Sequence, residues 1–136
     1  MVKWSAIGLI AISVLHMLVL GLAALPSVPH WLAGGLWTMA HAADYAAQPL
    51  DILISGAAFW ASLSSFAIPS MILGALILGM VQRGERVPSY VGWALLAWST
   101  LCALVMEPSG FPLGVILSVV MLIGLYRQPR GVPAEA

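Results

Sequence analysis

The chain reads as an all-α polytopic membrane protein: a four-transmembrane-helix bundle with an interfacial helix between spans 1 and 2, in a single domain 1–136. Three observations predict this. Hydrophobic residues make up 62% of the sequence and charged residues 7%, against about 25% charged residues in a soluble domain; mean hydropathy is +1.03. Four apolar runs approach the roughly 20 residues that a span needs, and with their connections they use up the chain. The basic residues also alternate. Lys3 precedes the first run, Arg83 and Arg86 separate the second from the third, and Arg127 and Arg130 follow the fourth. Connections 24–55 and 107–111 hold no Lys or Arg. Cytoplasmic flanks collect Lys and Arg, so both termini and the 82–88 loop are expected in the cytoplasm.

The first span is expected over 4–24, ending before Pro26 and Pro29, which continue a helix poorly. A single basic residue, His16 inside the run and the run's length favour retention over cleavage as a signal peptide. Segment 30–47, HWLAGGLWTMAHAADYAA, is too polar and broken for a span. Its Trp31, Trp37 and Tyr45 suit the headgroup region, which predicts a helix lying at the outer interface or dipping into it. The second span is expected over 50–81, with Pro49 at the first helical position and Asp51 in the first turn, facing the helix dipole. As one helix its apolar stretch would reach about 45 Å, beyond a bilayer core of roughly 30 Å, so a kink is expected at Pro69. The polar turn QRGER and Pro88 restart the chain for a third span over 89–106. EPSG turns it back into a fourth span over 111–126. The tail has no apolar periodicity and is expected to be disordered.

Small residues let helices approach in lipid. On a continuous second span Ala58, Ser62, Ser65 and Pro69 would share one face, and Gly114 with Ser118 forms a small-xxx-small pair in the fourth. His16 is the one ionisable side chain near mid-bilayer, where such groups are costly and point to function. It is expected as neutral imidazole, bonded to the second-span serines or to a ligand; a packing histidine is the plainer reading. Trp37, His41 and Asp44 fall on one helical stripe, suited to headgroups, to a shared proton or to metal ligation. Zinc takes three or four protein ligands, so no metal and no other cofactor is expected. Glu107 is read as a solvated loop carboxylate or as the outer partner of His41 or His30.

Other classes fall away. The single Cys102 excludes an intrachain disulfide and paired-thiol redox chemistry. Zero formal net charge makes nucleic acid an unsuitable partner. The first span lacks the glutamate on which small multidrug exporters rely, and one embedded histidine cannot supply bis-histidine haem ligation. What remains is a non-enzymatic protein binding an apolar ligand or lipid, or an accessory subunit, with membrane lipids, other membrane subunits or a second copy as partners. The competing reading is a proton-coupled transporter or membrane enzyme using His16 with an outer carboxylate. The expected site is a cavity between spans 1 and 2, lined by His16, Trp60, Ser62 and Ser65, with 30–47 as a lid carrying His41 and Asp44 near Glu107.

Four stretches, IGLIAISVLHMLVLGL at 7–22, FWASLSSFAIPSMILG at 59–74, VPSYVGWALLAW at 87–98 and PSGFPLG at 108–114, resemble an uncharacterised bacterial family of four-span membrane proteins. In outline the chain is also similar to DoxX-like four-helix proteins. The resemblance implies a fold and a place in the bacterial plasma (inner) membrane, and no activity or site residue; fold analogy alone carries no function.

Overall fold

The computed structural model describes residues 1–36, 48–106 and 109–127. Among them are five helices and no strands: α1 Val2–Leu32, α2 Leu50–Ala61, α3 Ala67–Gln82, α4 Ser89–Val105 and α5 Phe111–Tyr126. By length and composition α1 alone is long and apolar enough to cross a membrane; the other four are shorter apolar helices. The chain divides into two compact units, residues 1–10 with 72–136, and residues 11–71. The boundaries fall inside α1 and α3.

Two expected boundaries are corrected. The first helix does not stop before Pro26. It passes from α-helix into a π-turn at Met17–Gly21, then through a 3₁₀ turn at Leu25–Ser27 and back into α-helix at Val28–Leu32. Each restart places a proline, Pro26 or Pro29, at its first or second position, where a missing amide hydrogen breaks no helical bond. The helix ends instead at Gly34, whose φ of +80° closes a Schellman cap: Gly34 N–H donates to Trp31 O and Gly35 N–H to His30 O, both at 3.0 Å. Thus the 30–47 segment opens as the last turn of α1; His41, Asp44 and Trp37 lie outside the described residues, as does Glu107.

The second run is two helices rather than one helix kinked at Pro69. The backbone breaks over 62–66, where Ser62 takes φ −114° and ψ −98°, and resumes at Ala67. Pro69 then sits in the first turn of α3, where amides lack intrahelical partners anyway. Pro49 caps α2 from outside, with φ −56° and ψ 141°, one residue earlier than expected, which leaves Asp51 in the first turn as anticipated. The third and fourth runs form helices at 89–105 and 111–126, within a residue of the sequence boundaries.

In the unit of 1–10 and 72–136, four helical segments share one core: Val2, Ala6 and Leu9 of α1, Ile77 of α3, Leu95 of α4, and Met121 and Leu125 of α5, with Val87 from the loop. Small residues set the closest approaches. A methyl on Gly74 would lie 3.0 Å from the Ala6 carbonyl oxygen, and one on Gly124 would lie 2.9 Å from the Val2 nitrogen. α4 and α5 run antiparallel, since Trp93 donates to the Tyr126 hydroxyl at 3.3 Å while Trp98 stacks edge-on against Phe111. Ser118 is buried and returns its hydroxyl to Gly114 O at 2.7 Å, and Ser99 Oγ fills the space beside Gly114, as the small-residue pairing predicts. Met1 and Val2 lie against Gly124, and Leu125 shares a cavity with Arg86 and Val87. Hence residues 1–3, 86–88 and 124–127 meet at one end of this unit.

Candidate functional site

The unit of 11–71 brings His16 to the helix break. His16 closes the regular α-helical part of α1 and the π-turn follows at once. Its Nε2 lies 3.0 Å from the Ala61 carbonyl oxygen, at the last residue of α2. A carbonyl only accepts, so Nε2 carries the proton. In a continuous helix Ala61 O would take the Ser65 amide; here that amide donates to Ser62 O at 3.0 Å. His16 therefore supplies the bond that the break removes. The other ring nitrogen, Nδ1, takes no part in this bond. The ring also packs at 5.1 Å and 59° against Phe66, inside the break.

The serines hold the break together. Ser62, fully buried, donates to Ala58 O at 2.6 Å, and Ser65 Oγ accepts the Ala67 amide at 3.3 Å. Ser64 N–H donates to Phe59 O at 3.0 Å. Unpaired backbone groups are costly away from water, so SLSS is what lets an apolar run stop being helical. Ser62 and Ser65 both lie at the break, but the bond of His16 goes to the Ala61 carbonyl and not to their hydroxyls. Their shared helical face with Ala58 and Pro69 is lost with the continuous helix. Trp60 is 68% exposed and stacks edge-on against Phe59 at 5.9 Å; the ring facing His16 belongs to Phe66.

A second contact anchors the two helices further along. Trp31 Nε1 donates to Ser55 Oγ at 3.0 Å and Ser55 O at 3.2 Å, and its ring meets Phe59 edge-on at 5.4 Å. The sequence marks Trp31 only as an interfacial residue, and no signal in it pairs Trp31 with Ser55. The π-turn was equally silent, although such turns often mark functional positions. The break did leave a trace: a serine cluster inside an apolar run is a turn signal.

Ionic chemistry lies elsewhere. In the unit of 1–10 and 72–136, Arg83 Nε meets Glu85 Oε1 at 2.5 Å and Nη2 meets Oε2 at 3.1 Å. That hydrogen-bonded pairing holds the Glu85 carboxyl below its ordinary range and raises Arg83 further. Among the described residues no three His, Cys, Asp or Glu side chains gather as a metal site, and Cys102 is a free thiol.

An all-helical fold with a helix long and apolar enough for a membrane, and a histidine bonded across a helix break, defines the class. The chain belongs to a family of unknown function, DUF6463, whose profile matches residues 1–128. No curated protein and no solved structure matches it.

Proposed function

We propose that this chain is a four-pass protein of the bacterial plasma membrane, both termini cytoplasmic, that binds an apolar molecule or lipid at the 62–66 break beside His16. The observation that carries the site is the His16–Ala61 bond. Non-helical backbone within an apolar run is tolerated only where protein buries it or where it lines a cavity, and broken helices recur at membrane binding sites. In the neutral imidazole the Nδ1 lone pair selects a ligand that carries a hydroxyl or amide donor on an apolar body; few polar groups in a mostly apolar site is the common pattern.

Four crossings draw support from an inside-out distribution. Ser5, Ser13, Ser55, Ser62, Ser65, Ser99 and Ser118 are buried, while Leu22, Ile54, Leu76, Leu104 and Ile116 are more than half exposed. Water would select the reverse; lipid suits large apolar groups outside and small ones at helix contacts. Helices of 16 and 17 residues reach about 25 Å, near the bilayer core thickness. The gathering of residues 1–3, 86–88 and 124–127 at one end suits the expected cytoplasmic face.

Native mass spectrometry of the purified protein tests the site. Wild type is expected to retain an apolar mass that His16→Phe, which keeps a ring but no donor or acceptor, releases. Wild type without such a mass, or a variant that retains it equally, overturns the reading.

A further inference from the structure

We propose that the corner between α3 and α4 binds one anionic glycerophospholipid of the cytoplasmic leaflet, at a place separate from the His16 site; this rests on the membrane orientation proposed above. Two adjoining cavities in the unit of 1–10 and 72–136 carry the inference. The first, about 300 Å³, is an apolar groove formed by Leu73, Tyr90, Val91, Ala94, Leu95 and Trp98. The second, about 410 Å³, holds Arg86, Ser89 and Tyr90 over a floor of Val87 and Leu125. Tyr90 lines both, so an apolar slot and a cationic one adjoin at this residue.

Charge decides the occupant. Glu85 is committed to Arg83 through two hydrogen bonds. Among the described residues that is the ion pair of this loop, which leaves the exposed Arg86 facing its cavity without a carboxylate. Lys3 and Arg127 sit at the same end, where Arg127 approaches the Met1 sulfur at 3.8 Å. A headgroup of net negative charge answers this surplus; a zwitterionic one, whose phosphate is balanced by its own cation, answers it less, and a second copy of the chain would bring the same surplus and be repelled.

The groove fits the tail of the same molecule. From Tyr90 to Trp98 it follows α4 for about 12 Å at 1.5 Å per residue, with Ala94 as the small residue that keeps it open. Tyr90 and Trp93 stand at the headgroup end, where amphipathic aromatics collect. The Tyr90 hydroxyl and the Ser89 side chain offer hydrogen bonds beside Arg86. The cytoplasmic leaflet is the anionic one, and a basic residue at its surface contributes about 1 kcal/mol, or roughly a fivefold change in affinity.

The test is lipid titration by native mass spectrometry in a non-ionic detergent, using phosphatidylglycerol and phosphatidylcholine with identical chains. Wild type is expected to take up one phosphatidylglycerol in preference to phosphatidylcholine. Arg86→Gln is expected to weaken phosphatidylglycerol about fivefold and leave phosphatidylcholine unchanged. Ala94→Phe, or Ala94→Leu should the larger side chain prevent folding, is expected to reduce both. Replacing the ion pair as a whole, Arg83→Gln with Glu85→Gln, keeps the loop's net charge and leaves the preference intact. Equal uptake of the two lipids by wild type, or a preference that survives Arg86→Gln, overturns the proposal. So does Ala94→Phe changing the oligomeric state instead of lipid uptake. His16→Phe separates the two sites: loss of its retained ligand with the phosphatidylglycerol preference intact leaves this proposal standing, and loss of that preference alone sinks this proposal without touching the other.

Discussion

His16 combines two contributions that substitution can separate. Its Nε2–H satisfies the Ala61 carbonyl, and its ring packs on Phe66. Ala61 is exposed, so the bond counts where no water can replace it; an acceptor left unpaired away from water costs about 1–3 kcal/mol. His16→Phe is therefore expected to lower the thermal midpoint in detergent more than His16→Gln, which keeps a donor of similar reach; equal losses would mean that packing, not the bond, matters. Glycines give a second contrast. Ala at Gly124 would press on the Val2 backbone, with an overpacking cost of about 1–3 kcal/mol. Ala at Gly56 meets nothing within 4 Å and should stabilise α2 by about 0.5–1 kcal/mol through backbone entropy. Denaturation of both variants checks the sign as well as the size. Glu85 supplies a pH reading. Its carboxyl is depressed by Arg83, so the pair is present at neutral pH and is lost as pH falls through that depressed range. Carboxyl titration by NMR should show Glu85 below its ordinary midpoint, and Arg83→Gln should move it back up.

At the scale of elements, hydropathy and turn residues located α4 and α5 closely, because each is bounded by Pro, Gly or charge. They misjudged the first two helices for one reason. Averaged apolarity records that a run prefers lipid and is blind to how its backbone bonds are closed. Pro26 looks like a stop until a 3₁₀ turn renews the helix beneath it. Ser62–Ser65 looks like a packing stripe until the serines replace the helical bonds. Of the expected site, His16, Ser62 and Ser65 were legible as rare polar groups in an apolar background. Ala61 was not, because its contribution is a backbone carbonyl, and Phe66 resembles any other apolar residue. The position of the break has a direct test. Proline inside a continuous helix costs about 3 kcal/mol, so Pro69→Ala would stabilise a kinked helix strongly. In the first turn of a separate α3 the gain should be well under about 1 kcal/mol. Chemical denaturation in mixed micelles distinguishes the two.

For the whole molecule, the decisive quantity is the number of crossings. Among the described residues one helix, α1, meets the length and apolarity of a span by itself, while the second crossing would join the 12-residue α2 to the 16-residue α3 across the break at 62–66. Such a crossing holds only if the backbone of the break is shielded from lipid; within the unit of 11–71 Ser62 and Ser65 are buried, while Leu63 is exposed. The proposed four crossings rest on the basic residues, since membrane insertion keeps Lys and Arg on the cytoplasmic side. Reporter fusions should therefore read cytoplasmic after Gly84 and after Arg127, and external after Gly35 and after Ser109. A fusion after Gly84 on the external side would mean that α2 and α3 form a re-entrant hairpin and not a crossing. The reversed order of charged and uncharged loops beyond it would then need an odd number of spans, and Arg127 would lie opposite Lys3. The contact of Arg127 with Met1 brings the two together, so an Arg127 on the face opposite Lys3 would contradict that contact as well as the charge pattern.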